Sequence, residues 1–277
     1  MIVQDARNAA LSQLVLSIFP GIDLFGTGFE QVGFSVVRGP DPLTGGDIRR
    51  FHTVPGRFDG VIGGPPCPDF SRARRSEPSG YGLEMLAEFE RVVLEASPTW
   101  WLMENVSGVP DVVIPGYSHQ RLDINASECG LSQNRLRHFQ FGHKHGHVIS
   151  PVRLPRIADA QPCCVASEGG QMDRRGWLDF CRLQGLSDGI ELPSFTQSGR
   201  YRAVGNGVPI PMAIIMAQAV ALSRPVSSVR LCFCGCGREL TGRASLANAA
   251  CRKRMQRRRD SAGVTDQAFV TIEQSQL

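Results

Sequence analysis

Residues 14–32 read LVLSIFPGIDLFGTGFEQV, and this stretch contains the pattern that decides the fold. The apolar run Leu14–Phe19 predicts a buried strand, a turn with proline and glycine follows it, and Phe25–Val32 predicts a helix. Short apolar runs at 34–37, 60–62 and 99–103 repeat the strand pattern, with helical spacing at 83–96. Such alternation predicts an α/β domain built on a parallel sheet.

The composition is that of a soluble globular protein. Of the 277 residues, 42% are apolar and 20% are charged, and no apolar run reaches the roughly 18 residues that cross a bilayer. Pro20 and Gly21 end the first apolar run without a small-residue cleavage site, which argues against a signal peptide. Nine cysteines at irregular spacing favour a reducing compartment over a disulfide framework. We therefore expect a cytoplasmic protein with no membrane partner.

The sequence divides into five segments. A main domain at 12–142 is interrupted by an insert of loops and short strands at 143–175. A returning segment at 176–224, with helical spacing at 177–183 and 209–222, completes the domain. Arg224, Pro225 and the serines after them predict a linker to a basic, cysteine-containing module at 230–259, and 260–277 is predicted to be disordered. The net charge of +4 comes from residues 230–277, because acidic and basic residues nearly balance before them.

Four residues have the chemistry expected of a catalytic site. Cys67 lies in GGPPCP at 63–68, where prolines and glycines stiffen a loop after a predicted strand. Glu104 follows another buried strand, where loss of solvation would raise its pKa. Arg135 and Arg137, in QNRLR, point to one face of a strand. Each also has an ordinary structural explanation: a buried cysteine in a turn, a capped strand end and a surface charge pair.

Five segments in this order resemble the DNA (cytosine-5)-methyltransferase family. They are SIFPGI at 17–22, GGPPCP at 63–68, ENV at 104–106, QNRLR at 133–137 and YRAVGNGVPIPMA at 201–213. The resemblance implies the S-adenosylmethionine-dependent methyltransferase fold, a Rossmann-like, doubly wound and mostly parallel sheet. To this fold the chain adds a short recognition insert and a small basic C-terminal module.

The resemblance also implies a mechanism on double-stranded DNA. Cys67 would attack carbon 6 of a cytosine rotated out of the helix, so that carbon 5 can take a methyl group from S-adenosylmethionine. Glu104 would supply a proton or hydrogen bond at N3, and Arg137 with Arg135 would hold O2 and help to stabilise the thiolate. The insert is short, so we expect it to read only about two to four base pairs.

The family pattern implies a set of cofactor-binding positions, with three departures. The implied positions are Phe19, Gly21, Asp41, Asp47, Ile48, Pro66, Leu83 and Asn206. For the two aspartates, turn formation is the competing explanation. Ser17 stands where the family has Asp, Asp23 stands where it has Gly, and Pro68 replaces the usual Gln, which bears on how the base is flipped.

The C-terminal module predicts a structural zinc site. Four thiols, Cys232, Cys234, Cys236 and Cys251, suit Zn²⁺, although free cysteines in a loose tail are the alternative because the Cys-x-Cys-x-Cys spacing is unusual. The basic run at 252–259 predicts a helix that contacts DNA phosphates. By contrast, the alternating histidines His143, His145 and His147 have no carboxylate or thiol nearby, which favours solvated side chains over a metal site.

Two other functions are compatible with the same motifs. The first is a same-fold methyltransferase acting on RNA such as tRNA, and the second is a non-catalytic nucleic-acid-binding module. The thiol of Cys67 argues against the second, because a binding module has no need of a nucleophile at that position. A restriction endonuclease partner, or none, fits the leading interpretation.

Overall fold

The computed structural model describes residues 2–66, 68–70, 77–228, 230–234, 236, 238–240 and 242–262. Cys67 and the segment 263–277, on which two of the sequence predictions fall, therefore lie outside the described residues. The longer strands are β1 (Leu14–Ile18), β2 (Ser35–Arg38), β3 (Gly60–Gly63), β4 (Trp100–Asn105), β5 (Gln120–Asn125) and β7 (Leu136–His143). The two-residue strands are β6 (Gln133–Asn134), β8 (His147–Val148), β9 (Gln161–Pro162) and β10 (Arg224–Pro225).

The six longer strands form one sheet in the order β2-β1-β3-β4-β7-β5. The pairs among β2, β1, β3 and β4 are parallel, whereas β7 is antiparallel to both β4 and β5. Strands β1, β3, β4 and β5 consequently end at one edge, where β7 begins, and we call this the carboxyl edge. The predicted α/β fold with a mostly parallel sheet is confirmed, and ligands bind at this edge in open α/β sheets.

Helices cover both faces of the sheet. The described helices are α1 (Ile2–Ala10), α2 (Leu24–Val32), α3 (Tyr81–Ala96), α4 (Trp177–Leu183), α5 (Gln197–Asn206), α6 (Ile210–Ala221) and α7 (Ala249–Ala262), of which α1, α2 and α6 pack on one face and α3 on the other. The neighbouring residues Trp100 and Trp101 point to opposite faces, because strand side chains alternate. Trp100 packs on Phe29 of α2 in one core, and Trp101 packs on Phe89 of α3 in the other.

Several elements gave no clear pattern in the sequence. Helices α1 and α5 and strand β5 were not predicted, although Ala6 and Ala10 of α1 are fully buried beside α6. The segment predicted as a linker is instead attached to the insert, since Arg224 and Pro225 of β10 pair with Val148 and His147 of β8. The 3₁₀ turn Val226–Ser228 then leads to the module.

One apolar stretch passes a length and composition test for a membrane span. It covers Gln197–Ala221, which includes α5 and α6. Most of this stretch is buried inside the protein, and α6 packs against α1 and α2. An apolar helix enclosed by other helices in this way is typical of the core of a globular domain.

Candidate active site

The turn after β1 forms an open cradle at the carboxyl edge. Phe19 and Gly21 both have left-handed backbones, with φ of 55° and 57°. The Gly21 amide donates to Asp41 Oδ2 at 2.9 Å, which brings two predicted cofactor residues together. A Cβ built on Gly21 would meet no atom of a described residue within 4 Å, so the described part of the chain leaves space above this turn. Asp41 also accepts from the Leu43 amide at 2.8 Å, so the turn-forming role expected as the alternative is present as well.

The two departures from the family pattern in this turn lie against each other. Asp23 is 2% exposed and accepts hydrogen bonds from the Ser17 hydroxyl at 2.8 Å and from the Gly26 amide at 2.9 Å. Its other oxygen lies 3.0 Å from Arg38 Nε. Asp23 therefore caps α2 and places a carboxylate beside the end of β1, where Ser17 itself has none. The sequence does not indicate this role, although both residues depart from the family pattern.

The remaining cofactor candidates surround the same edge. Asp47 caps the short 3₁₀ turn that contains the buried Ile48, and Arg49 of that turn lies 2.8 Å from Glu84 Oε1. This ion pair joins the Asp47-Ile48 segment to the start of α3, next to Leu83, which is 58% exposed. Asn206 is the exposed last residue of α5, and its neighbour Gly207 packs on Leu24 at the start of α2.

The loop after β3 is held against the end of β4. The Asn105 amide donates to the Pro65 carbonyl at 3.1 Å, and Pro66, the last described residue before Cys67, is half-buried. A Cβ on Gly64 would lie 3.2 Å from Glu104 Oε2, so a larger residue there would crowd the glutamate. The loop that leads to Cys67 and the Glu104 side chain are therefore neighbours at the carboxyl edge.

Glu104 and Arg137 form a buried ion pair on adjacent strands. Arg137 Nε lies 2.9 Å from Glu104 Oε1, and Glu104 is 7% exposed. Burial raises the pKa of the Glu104 carboxyl above its ordinary value, against the opposing attraction of Arg137 and Arg135. Glu104 is thus desolvated, as its position after a buried strand predicts, and a carboxyl with a raised pKa keeps its proton to a higher pH than an ordinary glutamate.

Arg135 is placed differently from its predicted role. It is 2% exposed, and its Nη1 donates to the Cys164 carbonyl at 2.9 Å and contacts Cys163 Sγ at 3.4 Å. Nη2 donates to the carbonyls of Gly205 and Gly207 at 3.0 and 3.1 Å. Both terminal nitrogens are therefore committed to the protein itself. The structure makes Arg135 a positioning residue that ties the insert to the closing motif, and not a partner of the cytosine O2.

Two buried glutamines complete this connection. Gln133 donates to the Leu183 carbonyl at 2.6 Å and accepts from the Cys164 amide at 2.8 Å. Gln184 donates to the carbonyls of Val204 and Gly207. Gln184 was not singled out from the sequence, because a single glutamine after a helix gives no recognisable pattern.

The four C-terminal cysteines converge on one point. The sulfur atoms of Cys232, Cys234, Cys236 and Cys251 all lie within 4.8 Å of one another, and all four residues are buried. The Sγ–Sγ distances are 3.5 Å for Cys232–Cys234 and 3.7 Å for Cys236–Cys251, too long for disulfides. Four sulfurs around a tetrahedral Zn²⁺ would be about 3.8 Å apart, given Zn–S bonds of about 2.3 Å.

The histidine cluster has another arrangement. His143 is the last residue of β7 and is 5% exposed, so the expectation of a solvated side chain was wrong for this residue. Its ring stacks on that of His147 with centroids 4.2 Å apart, and its Nδ1 accepts from the His145 amide at 3.0 Å. Within the described ranges, the four-cysteine cluster is the one group of side chains placed to hold a metal.

His143 should make the fold sensitive to acid. Burial, with His147 and His145 nearby, lowers its pKa from 6.5 to about 4. Between pH 6.5 and about 4 the unfolded chain binds a proton at this histidine and the folded chain does not. The free energy of unfolding therefore has its full value above pH 6.5 and decreases as the pH falls toward 4. We expect the melting temperature of the wild type to fall more steeply over this range than that of His143→Phe. Parallel curves for the two proteins would contradict this assignment.

Comparison with known proteins agrees with this geometry. The family model described as C-5 cytosine-specific DNA methylase matches residues 38–112. The Type II methyltransferase M.HgiDI of Herpetosiphon aurantiacus is 28% identical over 175 residues, which are 52% of this chain and 57% of the relative. M.HindV of Haemophilus influenzae is 32% identical over 187 residues, 62% of this chain and 61% of the relative. The chain thus spans little more than half the length of these relatives.

A solved structure shares the fold. The putative DNA modification methyltransferase encoded within a prophage of E. coli aligns with a TM-score of 0.55 at 16% identity, over 76% of this chain and 98% of that one. The family match over residues 38–112 and the Type II methyltransferase relatives support the cytosine-5 DNA methyltransferase family for this chain.

Proposed function

We propose that the protein methylates carbon 5 of cytosine in double-stranded DNA, using S-adenosylmethionine. The observation that carries this proposal is the buried Glu104–Arg137 pair at the carboxyl edge, in contact with the loop that leads to Cys67. A carboxyl with a raised pKa can donate a hydrogen bond to the cytosine ring, and the guanidinium beside it can donate a second one. Both stabilise the negative charge that the ring takes up during the reaction. The Type II methyltransferase names of the relatives support DNA as the substrate.

The residues around the turn after β1 fit S-adenosylmethionine. The free space above Gly21, the Asp41 carboxylate beside it and the buried Ile48 offer room, a polar partner and an apolar surface at the edge where such ligands bind. We propose that Phe19, Asp47, Pro66, Leu83 and Asn206 complete the site. The cofactor, when bound, supplies an electrophilic methyl group.

The groups of the chain account for the remaining chemistry. The Cys67 thiolate adds to carbon 6 of the cytosine, and the electron pair of the former double bond makes carbon 5 nucleophilic. Protonated Glu104 donates at N3, which stabilises the charge that develops on the ring, while Arg137 donates to O2. Once carbon 5 carries the methyl group, its proton passes to solvent, N3 returns its proton to Glu104 and the cysteine sulfur leaves, which restores the aromatic ring and the free thiolate.

We further propose a zinc ion at the four cysteines and a cytoplasmic location. The four buried sulfurs offer a complete tetrahedral donor set, and the reducing cytoplasm keeps thiols available for it. For a protein partner we propose a restriction endonuclease or none, and the Type II methyltransferase names of the relatives agree with either.

Trapping with 5-fluorocytosine tests the function directly. Fluorine at carbon 5 cannot leave as a proton does, so the enzyme should stay covalently bound to the base after methyl transfer. We expect an adduct with DNA, dependent on S-adenosylmethionine and absent in Cys67→Ser. An adduct only with tRNA would favour the same-fold RNA methyltransferase, and no adduct with either polymer would overturn the proposal.

A further inference from the structure

The cysteine module lies at the carboxyl edge of the sheet, next to the strand that carries Arg137. Arg238 Nη2 lies 2.7 Å from Glu128 Oε1, in the 3₁₀ turn that directly follows β5. Arg254 of α7 lies 3.5 Å from Asp123 in β5. In the sheet register Asp123 pairs with His138, the neighbour of Arg137 on β7. The module is therefore anchored at the carboxyl edge, on the strand next to the one that carries Arg137.

A buried arginine of the insert joins the module to the main domain. Arg153 Nη1 donates to the Asp123 carbonyl at 2.7 Å and lies 3.4 Å from Glu128 Oε2. Its Nη2 donates to the Cys236 carbonyl at 2.6 Å. The Arg153 side chain is only 10% exposed, so these contacts are shielded from water. Arg153 thus donates charged hydrogen bonds both to the main domain and to the module, which fixes the position of the module.

Helix α7 presents cations on its outer face. Cys251 and Met255, four residues apart, are buried against the module, whereas Arg252 and Lys253 are exposed. Neither of these exposed residues forms an ion pair with a described residue, while Arg254 points inward to Asp123. Exposed cations without acidic partners, beside a site that takes DNA, are placed to meet phosphates.

The cysteines decide whether α7 keeps this position. Three of them come from the segment 232–236, and the fourth, Cys251, belongs to α7 itself. A metal ion bound by all four would tie the helix to the segment that Arg153 and Arg238 anchor. Without the metal, no cross-link between cysteine side chains would join α7 to that segment, since all four cysteines are free thiols.

We propose that the metal-loaded module is a second DNA-binding arm, which holds the duplex beside the flipped base through contacts of Arg252 and Lys253 with backbone phosphates. This inference rests on the proposed DNA methylation. It also explains how a chain with a short recognition insert can hold its substrate, since phosphate contacts supply affinity without requiring base readout.

Salt-dependent DNA binding tests the arm. We expect Arg252→Gln/Lys253→Gln to bind a labelled duplex at least about tenfold more weakly at low salt, and to lower the slope of log K against log salt by about 2. The matched control is Arg7→Gln/Arg57→Gln, which removes two exposed cations away from the carboxyl edge and should leave the slope unchanged. An unchanged slope in the α7 variant, or an equal change in the control, would overturn the inference.

Cys251→Ser tests the part played by the metal. The wild type should contain about one zinc per chain by mass spectrometry of the native protein, and the variant should lose both the zinc and the binding contributed by α7. A zinc-free wild type, or a zinc-free variant with full DNA affinity, would contradict the arrangement. The 5-fluorocytosine adduct forms at Cys67 in either case, so failure of the arm can be distinguished from failure of the proposed function.

Discussion

Glu104→Gln should lower the rate of methyl transfer about 10²- to 10⁴-fold, the usual contribution of a positioned acid. The amide has the shape of the carboxyl but cannot give a proton to N3. Because burial raises the pKa of Glu104, its protonated form persists to higher pH than that of an ordinary glutamate. The wild-type rate should therefore be highest below this raised pKa and decline as the pH rises through it. Single-turnover rates measured over a pH series would show this dependence.

The variant should lack this limb of the pH profile, because an amide does not titrate. Its melting temperature should be somewhat below that of the wild type, since the substitution leaves the buried Arg137 guanidinium without its ionic partner. Glu90→Gln, on α3 and away from the carboxyl edge, is the matched control and should retain full activity. If Glu104→Gln kept a rate within tenfold of the wild type, Glu104 would have no acid role.

Arg135→Met should destabilise the protein by on the order of 3 kcal/mol, because it leaves buried carbonyls without their charged donor. For a chain of this size such a loss corresponds to a fall in melting temperature of roughly 10 °C. Arg137→Met removes one ion pair at the site and should lower the melting temperature by much less, while it reduces the methylation rate about 10²- to 10³-fold. Thermal denaturation and single-turnover rates of both variants measure this contrast.

The two arginines are suitable controls for each other, since they are two positions apart and identical in chemistry. Arg135→Lys should recover only part of the lost stability, because an ammonium cannot reach carbonyls on both sides as a guanidinium does. Equal melting temperatures for Arg135→Met and Arg137→Met would show that Arg135 does not tie the insert to the closing motif.

The sequence predicted the parts of the fold that have strong local patterns. The apolar run of β1 and the helical spacing of α3 and α6 were sufficient to assign an α/β domain with a parallel sheet. The amphipathic α1 was missed because it precedes the first recognisable motif, and α5 because its composition is polar and rich in glycine. Strand β5 was missed because its alternation contains only two apolar residues, Leu122 and Ile124, among polar ones. Its polar residues Arg121 and Asp123 are paired with Asp111 and His138, which the local pattern does not indicate.

The sequence predicts a site residue when its role depends on the type of its own side chain. It does not predict a role that depends on which distant residues the side chain contacts. The closeness of Glu104 to Arg137 follows from the motifs and the strand ends. The different placement of Arg135 does not, because its partners are backbone carbonyls of residues 164, 205 and 207, which no residue type indicates. For the same reason the docking of the module through Arg153 could not be anticipated from charge patterning alone.

The contact between Ser17 and Asp23 restricts how this turn can vary among related chains. Asp at both positions would press two acids together near a single Arg38, whereas Ser with Gly would leave the Gly26 amide without its side-chain acceptor. Positions 17 and 23 should therefore covary, so that one of the two carries an acid and the other does not. A search profile that demands Asp at the first position alone would pass over chains that have moved it to the second.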